Sequence, residues 1–169
     1  MLHPDGSADA ALGRVDYPDL AAVIASLTAG ETDAVALMAT VACEVHHADD
    51  RFDWTGFYRV VAPDLMKIGP YQGHHGCLVI PFSRGVCGAA ARTGQVQLVD
   101  DVDAFPGHIA CAASTRSELV LPVVNGAGRL LGVFDLDSDR PAAFTGKKRS
   151  GSGSTPVTTA CVTGPNSPG

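Results

Sequence analysis

The stretch ELVLPVVNGAGRLLGVFDLD, residues 118–137, decides the fold class that this chain of 169 residues predicts. Residues 118–124 and 129–137 form two apolar runs rich in β-branched and aromatic side chains, which indicates strands. Asn125-Gly126, between the two runs, is a dipeptide typical of a hairpin turn. The sequence therefore predicts two adjacent antiparallel strands here.

The segments before this hairpin predict helices first and then further strands. Val35, Met38, Ala42 and Val45 recur at helical spacing, and Thr32 is the expected N-cap of that helix. The other predicted helices cover residues 18–27 and 85–93, and the other predicted strands cover 54–61, 65–68, 78–80 and 96–99. This order predicts an α+β domain with a central, mostly antiparallel six-stranded sheet flanked by helices.

Composition divides the chain into three parts. A loose leader is predicted for residues 1–16. Residues 17–144 are predicted to form one domain, which contains every predicted helix and strand. Residues 145–169 are dominated by Gly, Ser, Thr and Pro, which bury too little apolar surface to become ordered, so a disordered tail is expected. The long irregular segment 100–114 is of a kind that often carries function.

Charge and hydropathy limit the partners. The net charge of −6 argues against nucleic acid, because a phosphate-binding surface needs clustered Lys and Arg. The chain has no apolar run of about 20 residues and no basic start followed by an apolar run, so neither a membrane span nor a signal peptide is predicted. A cytoplasmic location is expected, where disulfides tend to be transient and catalytic.

Three carboxylates are predicted to meet at one end of the hairpin. Asp135 and Asp137 are two residues apart on a strand and share a face, and Glu118 opens the opposing strand. Trp54 and Tyr58 share one face of another strand. These groups are suited to the ammonium group of a small ligand. The alternative is that the carboxylates are solvated strand ends and that Trp54 is an ordinary core residue.

Three of the five cysteines, Cys77, Cys87 and Cys111, lie in one short stretch. Nothing else in the sequence resembles a reaction centre, because the chain has no Ser-His-Asp order, no phosphate loop and no dinucleotide fingerprint. Cys87, in a helix of small residues, and Cys43, in an apolar helix, are expected to be buried. Cys77 and Cys111 lie where loops meet regular elements and are expected to be accessible thiols. Redox catalysis, metal binding and burial all stay open at this point.

A zinc site is a further alternative, because His108 and Cys111 have a usable ligand spacing. No Cys-x-x-Cys pair accompanies them, and exposed loop histidines are the simpler explanation, so the favoured interpretation has no metal. The ligand-type residues considered are His74, His75, Cys77, Cys87, His108 and Cys111.

A series of motifs resembles a known family. The motifs, in order, are DWTGFY (53–58), GPYQG (69–73), IPFSRGVCG (80–88), DVDAFPGHIAC (101–111), SELVLP (117–122) and DLDS (135–138). Together they resemble the free methionine-(R)-sulfoxide reductases, which are built on a GAF domain. The resemblance covers residues 17–144 and implies a GAF-like fold and the reduction of free L-methionine-(R)-sulfoxide to L-methionine.

The resemblance implies a role for each of the three cysteines. Cys111 matches the nucleophile, which becomes a sulfenic acid, and Cys77 matches the resolving cysteine, which condenses with it to a disulfide. Cys87 matches a third, more peripheral family cysteine. A thioredoxin-type reductant would restore the thiols, so no cofactor is expected. Free methionine sulfoxide, this reductant and a second copy of the chain are the partners considered.

The resemblance also assigns the carboxylates and the aromatic pair. Clustered carboxylates do not all ionise readily, so Glu118 is expected to have a raised pKa and to protonate the sulfoxide oxygen. Asp135 and Asp137 are expected to hold the substrate ammonium, and Trp54 and Tyr58 to surround the methyl sulfoxide.

The chain departs from the family pattern after Phe144. The family continues there into an acidic, Leu-containing helix, whereas this chain continues with Gly146-Lys147-Lys148-Arg149-Ser150. Because that helix packs beside the N-terminal helices, its loss predicts exposed apolar surface on them. Two other functions are weighed against catalysis, a non-catalytic GAF sensor of small molecules or redox state and a zinc-stabilised structural domain.

Overall fold

The computed structural model describes residues 15–108 and 111–144. The expectations for residues 1–14 and for the tail, 145–169, lie outside the described residues. The helices are α1 (Tyr17–Leu27), α2 (Ala34–Ala48) and α3 (Gly85–Thr93), with a short 3-10 helix at Val102–Ala104. The strands are β1 (Trp54–Ala62), β2 (Leu65–Gly73), β3 (Val79–Pro81), β4 (Gln97–Val99), β5 (Ser117–Val124) and β6 (Leu130–Ser138).

The six strands form one sheet in the order β3-β2-β1-β6-β5-β4. Every neighbouring pair is antiparallel. The chain therefore has the predicted α+β architecture, with a central antiparallel sheet and helices beside it. The hairpin β5–β6 joins β1 on its other side, so β6, which carries two of the predicted site carboxylates, lies near the middle of the sheet.

Alternation along β6 separates the two faces of the sheet. Val133 belongs to the core cluster that also contains Tyr58 and residues of α3. Phe134 and Leu136 pack in a second cluster, with Phe52. Because successive side chains of a strand point to opposite faces, Asp135 and Asp137 lie on the Val133 side. The prediction that these two carboxylates share a face is confirmed.

Helix α3 lies closely against the end of β3. A Cβ atom added to Gly88 would lie 2.8 Å from the main-chain oxygens of both Pro81 and Phe82. The helix is buried from Gly85 to Ala91. Its small residues therefore let the helix backbone approach the sheet closely, which fixes the position of Cys87 inside it.

Two local predictions from the sequence are wrong, and a third is confirmed. The hairpin turn predicted at Asn125-Gly126 is present, and the Asn125 side chain accepts hydrogen bonds from the N–H groups of Ala127 and Arg129 in its loop. The N-cap of α2 is Asp33, not Thr32, because the Asp33 carboxylate accepts a hydrogen bond from the Ala36 N–H at 2.8 Å. Cys43 is half-buried rather than buried.

Helix α1 has no buried residue. Tyr17, Val23 and Leu27 on this helix are exposed, as is Val35 at the start of α2. The expected exposure of apolar surface on the N-terminal helices is thus observed. Among the helices that the structure describes, none combines the length and the apolar character needed to cross a membrane.

Candidate active site

The strand register brings three of the predicted site residues into one row across the sheet. Asp137 on β6 is directly opposite Trp54 on β1 and opposite Glu118 on β5. Asp135, two residues earlier, is opposite Gly56 and Val120. The prediction that the hairpin brings Glu118 near Asp135 and Asp137 is therefore confirmed, and we call these three residues the carboxylate cluster.

An aromatic wall stands beside the carboxylate cluster. The Trp54 ring stacks on Tyr58 with ring centroids 5.7 Å apart and on Tyr71 with centroids 5.4 Å apart. The Trp54 indole N–H donates to the His74 carbonyl at 3.0 Å, which fixes the ring. The sequence analysis did not single out Tyr71. Pairing the strands of the β1–β2 hairpin would have found it, because Tyr71 is opposite Gly56 in that pairing.

The loop before Cys77 packs against this wall at Gly76. A Cβ atom added at Gly76 would lie 2.9 Å from the Tyr58 hydroxyl oxygen and 3.2 Å from the Trp54 ring. Any larger residue would push the loop away from the aromatic pair. Gly76 therefore brings the loop, and with it Cys77, to the edge of the site.

Cys77 and Cys111 form a disulfide, with their Cα atoms 5.1 Å apart. Both are half-buried and pack against the core cluster that contains Trp54 and Tyr58. The pairing that the family resemblance implied is thus present. The expectation that both are accessible thiols does not describe this state, because neither carries a free S–H.

Cys87 is buried, as the sequence predicted, but it is not isolated in apolar surroundings. Its thiol donates to the Glu118 Oε1 atom at a sulfur–oxygen distance of 3.7 Å. Burial, followed by the charges of Asp135 and Glu118, raises the pKa of this thiol well above its usual value. Cys87 is therefore held as a neutral thiol inside the carboxylate cluster.

The pKa values of all three carboxyl groups are raised well above their usual values. Burial is the main cause for each. The next cause is the charge of a neighbour, which is Asp137 for Glu118, Glu118 for Asp135, and Asp135 for Asp137. The cluster therefore favours protonated carboxyl groups, and such groups can donate protons.

These raised pKa values predict that the folded state loses stability as the pH rises. The folded carboxyl groups keep protons that the unfolded chain, with pKa values of 3.8 for Asp and 4.5 for Glu, has released. Unfolding should therefore require less urea as the pH rises from the pKa values of the unfolded chain toward the raised pKa values of the folded carboxyl groups.

The Asp135→Asn variant, whose amide does not ionise, is the matched control for this pH dependence. We expect its stability to fall less steeply with pH than that of the parent chain. Burial lowers the pKa of His46, which makes stability rise with pH, but this contribution is the same in both chains and cancels in the comparison. Parallel curves for the two chains would contradict the prediction.

The site opens to solvent through a cleft of about 490 Å³. This volume includes the open space at the mouth of the cleft, so the enclosed part suits only a small molecule. Exposed His75 and half-buried His108 line it beside Cys111. The three carboxylates, the aromatic pair, Cys87 and Cys111 all line this cleft, whereas Cys77 reaches it through its bridge to Cys111.

The ligand-type residues that the sequence suggested for zinc do not come together in the structure as one site. Cys77 and Cys111 are bonded to each other, and only Cys87 of that set lies in a group of three close ligand atoms within the described ranges. The other members of that group are Glu118 and Asp135.

The chain is similar to known proteins over most of its length. The family model for the GAF domain matches residues 28–150. Protein YtsP from Bacillus subtilis is 43% identical over 73% of this chain and 76% of its own length. The free methionine-R-sulfoxide reductase from Escherichia coli is 40% identical over 80% of this chain and 81% of its own length.

A solved structure is also similar to this chain over most of its length. The X-ray structure of free methionine-R-sulfoxide reductase from Neisseria meningitidis, in complex with its substrate, is 42% identical to this chain. It covers 86% of this chain and 84% of its own, with a TM-score of 0.72. These matches show that the chain is a GAF-domain protein. Within that class it belongs to the free methionine-R-sulfoxide reductase family.

Proposed function

We propose that this protein reduces free methionine-(R)-sulfoxide to methionine by thiol chemistry. The observation that carries the proposal is the Cys77–Cys111 bridge at a cleft lined by the carboxylate cluster and by Trp54 and Tyr58. The relative from Escherichia coli and the Neisseria meningitidis structure, both named for this activity, support the substrate assignment.

The first step is attack of the Cys111 thiolate on the electrophilic sulfur of the sulfoxide. The attack forms a sulfur–sulfur bond, and the sulfoxide oxygen, once protonated, leaves as water. A water molecule then attacks the Cys111 sulfur, the sulfur–sulfur bond breaks, methionine leaves, and Cys111 becomes a sulfenic acid. Glu118 is the proton donor in this proposal, because its raised pKa keeps it protonated at the base of the cleft.

The substrate ammonium is proposed to bind Asp137 and Asp135, and the methyl group to contact Trp54 and Tyr58. Asp137 is half-buried and opposite Trp54 in the sheet. A ligand whose ammonium group binds Asp137 can therefore also contact the Trp54 ring. Buried Asp135 has one oxygen that accepts no hydrogen bond from the described residues, and a cationic ligand would satisfy it.

The second step is condensation of the Cys111 sulfenic acid with the Cys77 thiol. It releases water and forms the disulfide, and a dithiol of the thioredoxin type then restores both thiols by exchange. The reaction consumes one sulfoxide and one dithiol and gives methionine, water and the oxidised dithiol. No step needs a metal or an organic cofactor.

A single-turnover experiment tests this proposal. The reduced protein, freed of reductant, is mixed with excess free methionine-(R)-sulfoxide. We expect one methionine per chain and, by peptide mass mapping, a new Cys77–Cys111 disulfide. The matched control is protein that was oxidised beforehand, which should release none. Binding of the sulfoxide without methionine formation would refute the proposal and favour a non-catalytic GAF sensor.

A further inference from the structure

The lining of the cleft includes a buried thiol and two buried carboxylates that lie close together. The Cys87 sulfur and carboxylate oxygens of Glu118 and Asp135 all lie within 4.8 Å of one another. All three residues are buried. Around one tetrahedral zinc ion, ligand atoms at the usual bond lengths are roughly 3.3–3.8 Å apart. The 3.7 Å between the Cys87 sulfur and the Glu118 oxygen already lies in this range.

A second observation also indicates a missing ligand at this point. Asp135 is 4% exposed, and its Oδ1 atom accepts no hydrogen bond from any described residue. Buried polar atoms are nearly always paired, and an unpaired one usually indicates a partner such as an ion, a water or a ligand. This oxygen belongs to the same carboxylate that faces Cys87 and Glu118.

We propose that Cys87, Glu118 and Asp135 bind one Zn²⁺ ion at the base of the cleft, and that this ion inhibits the protein. Binding of the ion would release the protons of the Cys87 thiol and of the carboxyl groups. The resulting thiolate with two carboxylates suits borderline-soft zinc, whereas Mg²⁺ and Ca²⁺ prefer sites made of oxygen alone. The ion is an inhibitor and not a cofactor, because it uses the carboxylates that the proposed reaction requires for the proton and the ammonium.

This site differs from the zinc site that the sequence suggested. That alternative depended on the spacing of His108 and Cys111, and Cys111 is bonded to Cys77 in this structure. Cys87 keeps a free thiol in this disulfide state. Ion binding at Cys87 is therefore separable from the redox pair, and only the inhibitory part of the inference rests on the proposed function.

The test uses Cd²⁺, whose bond to a thiolate gives an ultraviolet charge-transfer band that Zn²⁺ does not give. The protein is the untagged full chain in its disulfide form, carrying Cys43→Ser and Cys161→Ser, so that Cys87 is its last free thiol. We expect the band to saturate at one ion per chain, and added Zn²⁺ or free methionine sulfoxide to remove it.

Two further variants in the same background decide the result. Cys87→Ser should remove the band, and Asp135→Asn should weaken Cd²⁺ binding at least about tenfold, as loss of a coordinating group does. Thermal unfolding confirms that each variant is folded. No band in the parent chain, a band that survives Cys87→Ser, or unchanged affinity in Asp135→Asn would each overturn the metal site.

The outcomes separate this inference from the proposed function. Cd²⁺ binding as described, in a chain that releases no methionine in the single-turnover experiment, supports the metal site and refutes the enzyme assignment. Full methionine release by a chain that gives no Cd²⁺ band refutes only the metal site.

Discussion

Replacing Cys111 with serine is expected to abolish turnover, to the level of a reaction without protein. The serine hydroxyl is a far weaker nucleophile than a thiolate, and no other described residue offers a thiolate at the cleft, because Cys87 is held as a neutral thiol. The measurement is NADPH consumption in an assay coupled through thioredoxin and its reductase. Normal consumption by the variant would refute the assignment of the nucleophile.

Replacing Cys77 with serine gives the complementary result. The first step needs only Cys111, so this variant should release one methionine per chain and then stop with a sulfenic acid at Cys111. A reagent specific for sulfenic acids should label that residue in the variant and not in the parent chain. Cys43→Ser, on α2, is the matched control and should retain full turnover.

Replacing Glu118 with glutamine is expected to lower kcat by about 10²–10⁴-fold, the usual contribution of general acid catalysis. Glutamine keeps the size of the side chain but has no carboxylic proton to transfer. The parent chain should lose activity as the pH rises through the raised pKa of Glu118, because the acid works only below that pKa. This high-pH decline should be absent from the variant.

Glu44→Gln, on α2, provides the control for Glu118→Gln, and it should leave both kcat and the pH profile unchanged. A Glu118→Gln protein with kcat within twofold of the parent would show that the proton comes from another group. Asp137, whose pKa is also raised by burial, would then be the next residue to replace.

The carboxylate cluster was predictable because strand alternation and hairpin pairing fix which side chains meet. A one-residue shift in register would turn Phe134 and Leu136 toward the cleft, so the apolar pattern of β6 specifies a single pairing. The same reasoning placed Trp54 and Tyr58 on one face. These are rules of backbone geometry, and they need no knowledge of distant segments.

The features that sequence reasoning missed depend on contacts between segments far apart in the chain. The strand β2 was expected to end at Ile68, before Gly69-Pro70, but it continues to Gly73. Proline is tolerated there because the β1–β2 register shifts between Gly56 and Tyr58, which places Gly69-Pro70 at a bulge. No described strand pairs with the other edge of β2 beyond Lys67. The hydrogen bond from Cys87 to Glu118 likewise appears only when α3 lies on the sheet.

The Cys77–Cys111 bridge also changes the topology of the chain. It joins residues 34 positions apart, and the ring it closes contains β3, α3 and β4. Such a closure removes roughly 4 kcal/mol of chain entropy from the unfolded state. In the proposed cycle, the segment between Cys77 and Cys111 is a closed ring after each reaction and an open segment before the next one. The protein that meets a new substrate is then the less stable form, and the protein that awaits its reductant is the more stable one.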